Sequence, residues 1–306
     1  MSYFQSDIYF KLISSIQSSG NLKLINSSFI VIQIGSANII KNFFSCRNLI
    51  NDPFLIKNSN SIFAYKIKNI AESINNNKAI FTEFRFHREL PDGFLKTDLS
   101  GIKRFNYYNI LLNTDKQENV LFKALSLSKK RQVKSTLKNN IKVIKATVEA
   151  EVVDFYNILQ YHYKNKVKKP IYPLELFLNF FKNKENGYIF IAKDNEKVIG
   201  GMLAPVYHNE VIYEWYIAAL DEEYKGKGIY PSVLLTWEAI RFASENGFQY
   251  FDFMGAGPVE KEYGVRRFKM QFGGELVKTA RIRIIHKPLL YKIGKLALDF
   301  GLGKHF

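Results

Sequence analysis

Cysteine is nearly missing from this chain of 306 residues, with Cys46 the single example. One thiol excludes an intrachain disulfide framework and any multi-cysteine zinc knuckle, and the composition reads as that of a reducing, cytoplasmic compartment. Histidine is scarce too, and the five present leave no pair at helical or finger spacing for a metal. No run of 18 or more residues is uncharged and apolar enough for a bilayer-spanning helix. The first twenty residues, with Asp7 and neither a basic leader nor an apolar core, do not read as a secretory signal. Pro- or Gly/Ser-rich linkers and fixed-period repeats are also lacking, so the parts of the chain are expected to pack closely.

Acids are outnumbered. Lys plus Arg total 44 against 28 Asp plus Glu, a formal net charge of +16. The excess is uneven: Lys129 to Lys145 carries basic residues without a single acid, whereas the stretch 201–277 is acidic on balance. Such asymmetry suits an anionic partner, whether RNA, a nucleotide pyrophosphate or acidic lipid, with a merely solvated lysine-rich helix as the other reading. What is abundant is apolar: 47% hydrophobic residues, with 26 Phe and 18 Tyr, exclude general disorder and suffice for a sizeable core. The length fits about two domains.

Periodicity predicts strands at 29–34, 80–86 and 107–112 in the first half, followed by a basic helix over 118–140. On that helix Lys130, Lys134 and Lys138 share one face, while Leu121, Phe122 and Leu125 oppose it. The second half reads strand 141–147, helices 149–163 and 173–184, and strands 188–193, 197–206 and 211–218. Helix 230–246, strand 248–253, helix 260–271 and strand 274–285 complete it. Pro231 suits the first turn of helix 230–246, and Gly247 suits its end. The fold class is therefore α/β (α+β), with mixed central sheets flanked by helices.

Between a strand and a helix lies Asp221-Glu-Glu-Tyr-Lys-Gly-Lys-Gly-Ile-Tyr-Pro. Gly226, Lys227 and Gly228 there make a candidate cofactor loop: glycines admit close backbone approach, and a helix start favours an anion such as pyrophosphate. A plain glycine-rich connection is the alternative. In its strand-strand-strand-loop-helix setting, the segment resembles the pyrophosphate loop of the GNAT N-acyltransferase superfamily, with Glu223 where that family carries a base or Gln. Further on, Phe251-Asp-Phe-Met-Gly-Ala-Gly257 is followed by Gly264-Val-Arg-Arg-Phe-Lys-Met-Gln-Phe-Gly-Gly274. This pair of segments resembles the signature of the Fem family of peptidyltransferases, with Met254 in place of the first glycine of the strand end. The run Ser128–Lys138 resembles that family's basic helix. The likeness is strong over 188–280, fair over 105–187 and weak before residue 100.

The resemblance implies two GNAT-like domains: residues 1–125 as a degenerate N-terminal one and 126–286 as the acyltransferase domain, with 287–306 as a basic amphipathic helix. It implies transfer of an aminoacyl or peptidyl group from aminoacyl-tRNA to an amine of an anionic, peptidoglycan-type precursor. No tightly bound cofactor is expected. An acyl-CoA-dependent N-acyltransferase acting on an amino sugar or aminolipid is the alternative. A non-catalytic module gripping anionic lipid or RNA is a second.

Amine attack on an ester or thioester carbonyl needs a neutral amine and donors for the oxyanion. Lys269, one turn before Gly273 and flanked by Phe268 and Phe272, is the candidate for charge stabilisation. Glu214, on the strand where many GNAT enzymes carry a base, is the candidate base; alternation pairs it with Tyr216 and sets Tyr213, Trp215 and Ile217 on the other face. A solvent-facing carboxylate is the competing reading. Asp252, at a strand end, orients substrate or caps the next turn. Lys130, Arg131 and Lys134, with Phe268 and Phe272, are candidate substrate- or RNA-binding residues. Arg85 and His87 form a weaker pair for an acceptor phosphate. From Pro288 onward, Leu289, Ile293, Leu296 and Phe300 recur as one apolar face beside Lys292 and Lys295, a pattern that fits peripheral contact with an anionic membrane.

Overall fold

Strands and helices alternate along the chain in a computed structural model that describes residues 3–15, 22–25, 29–34, 37–41, 68–69, 72, 79–86, 101–167 and 171–299. The first half contributes α1 (Asp7–Ser14), β1 (Leu22–Ile25), β2 (Phe29–Ile34), β3 (Ala37–Lys41), β4 (Ala79–Arg85) and β5 (Ile102–Asn113). Next come α2 (Glu118–Ala124), α3 (Leu127–Lys138), β6 (Lys142–Lys145), α4 (Glu149–His162) and α5 (Leu174–Lys182). Strands β7 (Gly187–Asp194), β8 (Lys197–Tyr207), β9 (Val211–Tyr213) and β10 (Tyr216–Ala219) precede α6 (Pro231–Glu245). The chain ends with β11 (Tyr250–Pro258), α7 (Gly264–Met270), β12 (Glu275–Ile285) and α8 (Pro288–Asp299). Cys46 and His87 lie outside the described residues.

Two compact units result. One comprises Met1–Tyr107, Pro258–Glu260 and Lys278–Phe306; the other comprises Tyr108–Gly257 and Lys261–Val277. In the first, β1 to β3 form antiparallel hairpins, β4 runs parallel to β3, and β12 is antiparallel to β4. In the second, β6, β7, β8 and β9 are successively antiparallel neighbours, and β11 is parallel to β9. Helix α6 is buried almost all round, through Val233, Leu234, Leu235, Trp237, Ile240 and Ala243. It packs with Phe190, Met202, Ile212, Phe251 and Phe253 into the core of this unit. A helix apolar on every side is the pattern of a core element. The mixed α/β class is as expected.

Two expected elements are broken, each for a local reason. The helix over 118–140 is two helices, because Leu125 and Ser126 adopt extended ψ values of 146° and 156°. The Ser126 hydroxyl accepts the Lys129 N–H at 3.2 Å and caps a fresh helix, α3. The strand over 211–218 splits into β9 and β10. On β8, Val206 faces Ile212 but Leu203 faces Tyr216, so three steps oppose four. One residue is extra at Glu214–Trp215, a β-bulge that ends strict alternation there.

Candidate active site

The bulge decides where Glu214 goes. Instead of facing solvent it is 3% exposed, and its neighbours Tyr213 and Tyr216 are buried as well. Its N–H donates to the Asp252 carbonyl at 2.9 Å, which ties the bulge to β11. Its Oε1 is 3.2 Å from Lys269 Nζ, and the Thr236 hydroxyl on α6 donates to Oε2 at 3.4 Å. Burial pushes the Glu214 carboxyl above the ordinary range, while the Lys269 ammonium and the Thr236 hydroxyl oppose the rise.

Lys269 arrives from α7 and is itself buried. Besides Glu214, it donates a short hydrogen bond to the Phe253 carbonyl of β11. Two of its three N–H donors are thus engaged, and the ammonium is neutralised within a single ion pair. It is therefore not an exposed helix lysine.

Asp252 lies beside this pair. One carboxylate oxygen accepts the Met254 N–H at 2.6 Å, closing a local turn in which Met254 sits at φ +61°. That is the left-handed conformation glycine adopts freely, at the position where the Fem-like pattern has glycine; the Asp252 bond helps a side chain to hold it. Desolvation pushes the Asp252 carboxyl up to about 6, with Glu214 adding to the rise and Met254 and Lys269 opposing it. Between about pH 4 and 6 the folded chain keeps a proton here that the unfolded chain releases. This contribution to stability is present at low pH and lost as pH rises through about 6. Asp252→Asn should therefore become more stable relative to the wild type between about pH 5 and pH 8, as read by melting temperature. A pH-independent difference would contradict this titration.

The glycine-rich loop takes the conformation its sequence asks for, with Gly226 at φ +80° and Gly228 at φ +72°. A Cβ on Gly228 would lie 2.8 Å from the Ser135 hydroxyl of α3, so close packing as well as φ demands glycine there. Ser135 donates to the Gly228 carbonyl at 2.7 Å, and the Tyr230 N–H donates to the Thr136 hydroxyl at 3.0 Å. At the start of α6, the Ser232 N–H and hydroxyl both donate to Asp221 Oδ1, at 3.3 and 2.9 Å. The helix start expected to receive pyrophosphate already holds a carboxylate of the chain. Lys227 is exposed and lies over the Tyr224 ring at 5.1 Å.

Arg131 and Lys134 project from α3 into solvent, while half-buried Lys130 donates to the Lys123 carbonyl at 2.7 Å. A polar groove of about 360 Å³ beside the loop is lined by Ser128, Arg131, Gln132, Ser135 and Tyr230. Phe272 is fully buried and Phe268 half-buried, edge-on to each other at 5.4 Å. They pack the helix that carries Lys269 and are not open stacking platforms.

One residue escaped sequence reasoning. Lys129 is 4% exposed, with Nζ 4.0 Å from the Phe268 ring centre and 3.0 Å from Gln132 Oε1. Burial lowers its ammonium to about 8, partly offset by the Asp221 charge. The signal was present, since Leu125, Lys129 and Val133 recur every four residues and the outer two are core residues.

The bulged strand, the loop entering α6 and the Lys269–Glu214 pair are brought together by one stretch of the chain, residues 130–270. Residues 130–270 match the acetyltransferase (GNAT) domain family, and this match supports an acyltransferase. No curated protein sequence matches the chain. Among solved structures, FemX superimposes with a TM-score of 0.63 at 13% identity, covering 95% of this chain and 96% of that one. The C-terminal domain of a putative lysylphosphatidylglycerol synthetase from Agrobacterium fabrum follows with a TM-score of 0.54 at 10% identity, covering 94% and 96%. L-PGS from Bacillus licheniformis gives 0.54 at 12%, covering 90% and 91%. The fold agrees with the GNAT-type, Fem-like resemblance read from the sequence.

Proposed function

We propose that this chain transfers an aminoacyl group from aminoacyl-tRNA to an amine of an anionic cell-envelope precursor. The observation that carries the reading is the buried pair of Glu214 with Lys269, the lysine of the Phe-Lys-x-x-Phe-Gly-Gly segment. The third N–H of Lys269 is the donor for the oxyanion formed when the amine attacks the ester carbonyl; Glu214, its carboxyl raised by burial, accepts the proton the amine gives up and returns it to the ribose oxygen of the tRNA as the ester C–O bond breaks. Asp252 holds the strand end and sets the field around the pair. Two structural neighbours fit this reading: FemX bears the name of the family that the sequence resembles, and the synthetase from Agrobacterium fabrum is titled for lysylphosphatidylglycerol, an aminoacylated anionic lipid.

The donor is favoured as tRNA because Asp221 occupies the start of α6, where a pyrophosphate would meet a like charge. The positive-φ glycines at 226 and 228 are what favours acyl-CoA instead. A melting-temperature titration separates the two: uncharged tRNA at about 100 times its dissociation constant should stabilise the protein by about 2.7 kcal/mol. A shift with coenzyme A and none with tRNA would overturn the tRNA reading, and no shift with either would favour a non-catalytic binding module. Affinity for tRNA should also fall with salt, with a log–log slope of about −0.7 per single-strand phosphate contact. Arg131→Glu with Lys134→Glu, two exposed cations, should flatten that slope; salt-independent binding would remove α3 from the interface.

Peripheral contact with an anionic membrane belongs to the same reading. Among the described residues no helix is long and apolar enough to cross a membrane. Helix α8 nonetheless turns Leu289, Ile293 and Leu296 outward beside exposed Lys292 and Lys295.

A further inference from the structure

The antiparallel pairing of β4 with β12 in the first unit makes an unfavourable match. Arg281 stands directly opposite Arg85, and Arg283 opposite Glu83. Like charges directly across a strand pair are destabilising. Glu83, fully buried, receives Arg85 Nε at 2.8 Å on one oxygen and Arg283 Nε at 2.7 Å on the other. Arg281 is left 4.0 Å from the oxygen that Arg85 already holds. Arg283 is further fixed, with Phe105 and Phe81 rings 4.6 and 5.1 Å away and the Tyr291 hydroxyl accepting from it at 3.1 Å. Arg281 has an aromatic floor instead, its guanidinium 3.7 Å from the Tyr107 ring centre.

These side chains share one sheet face, because 81, 83 and 85, 281 and 283, and 105 and 107 each alternate in step. The Arg281 side chain keeps 23% of its surface open, so a solute can reach it. Burial and the charges of Arg85 and Arg283 depress Arg281 to about 10, which still leaves it cationic at neutral pH. A guanidinium stacked on a ring, short of a full carboxylate partner and facing a second guanidinium, is suited to bidentate recognition of a tetrahedral oxyanion.

We propose that Arg281, with Arg85 across the strand pair and Tyr107 beneath it, forms an oxyanion site in the first unit for a phosphate-bearing ligand. The site stands apart from the acyl-transfer reading, since neither Lys269 nor Glu214 contributes to it. The phosphate can belong to a soluble diphosphate or to a lipid head group, which the probes distinguish.

The test is the melting temperature of the full chain in phosphate-free buffer, titrated with inorganic pyrophosphate and, separately, with short-chain phosphatidylglycerol below its micelle concentration. Wild type should shift upward with at least one probe, pyrophosphate indicating a diphosphate and the phospholipid a lipid phosphodiester. Arg281→Gln should start higher without anion, because the like-charge match is gone, and should lose the shift or need at least tenfold more probe. Arg281→Lys should keep a weakened response, and Lys116→Glu, an exposed cation on the other unit, should leave the response intact. The proposal is overturned if wild type ignores both probes or if Arg281→Gln responds as wild type does. It is equally overturned if Arg281→Gln melts lower than wild type without anion, since Arg281 is then a structural partner of Glu83.

Discussion

Replacing Lys269 by alanine should lower turnover tenfold or more and should also destabilise the fold. The catalytic share follows from removing an oxyanion donor, a loss of about 10²–10³-fold where such donors have been deleted. The stability share follows from the geometry: Lys269 is the ion-pair partner of a carboxylate that is 3% exposed. Breaking a buried pair from one side costs about 3–5 kcal/mol, because the remaining charge stays buried and unpaired. Activity loss in the alanine variant is therefore ambiguous. The double variant Lys269→Met, Glu214→Gln removes both charges together and should regain most of the melting temperature. It should not regain turnover, because both the donor and the proton acceptor are gone. Recovery of activity together with stability would reduce the pair to a structural ion pair and sink its role in transfer.

Much of this centre was legible in the sequence, and what was hidden had definite causes. Lys269, Glu214 and Asp252 come from three separate segments, yet the segment patterns singled out each of them, and β9, β11 and α7 bring them together. The burial of Glu214 was not legible, because period-two alternation presumes an unbroken ladder and the extra residue at 214–215 interrupts it. Lys129 was grouped with its basic neighbours by charge, although its spacing with Leu125 and Val133 put it on the apolar side. The competition between charge pattern and periodicity was settled by Phe268 and Phe272, aromatic faces that accept a buried ammonium. The glycine-rich loop shows the reverse. Its backbone shape was foreseen, but the acceptors that fill it, Thr136 and Asp221, come from a separate helix and from the preceding strand end. No local window joins Thr136 to Tyr230. The β4–β12 cluster is likewise a matter of register between strands about 200 residues apart, which sequence spacing cannot supply.

The full chain should co-sediment with vesicles containing phosphatidylglycerol and ignore vesicles of neutral phosphatidylcholine, and Leu289→Glu with Ile293→Glu should abolish the binding. The periodicity of α8 placed Leu289, Ile293 and Leu296 on one face, and they are 71%, 53% and 55% exposed; Phe300 lies outside the described residues. The opposite side anchors the helix to its own unit. The Tyr291 ring stands edge-on to Phe81 at 5.6 Å, and its hydroxyl accepts from Arg283. The apolar face thus has no part in that anchorage, and Lys292 and Lys295 flank it with charge that an anionic surface attracts, at about 1 kcal/mol per base. Because the two substituted side chains are exposed, each change should alter stability by no more than about 0.5 kcal/mol, so lost sedimentation with an unchanged melting temperature isolates the membrane contact. Truncation after His286 is a poorer test, since it also removes Tyr291 and with it the hydroxyl that Arg283 holds. Salt should weaken the vesicle binding, as screening acts on the lysine contribution while leaving the apolar one. Binding that survives the double substitution, or that is equal on neutral and anionic vesicles, would remove α8 from any role at a charged membrane surface.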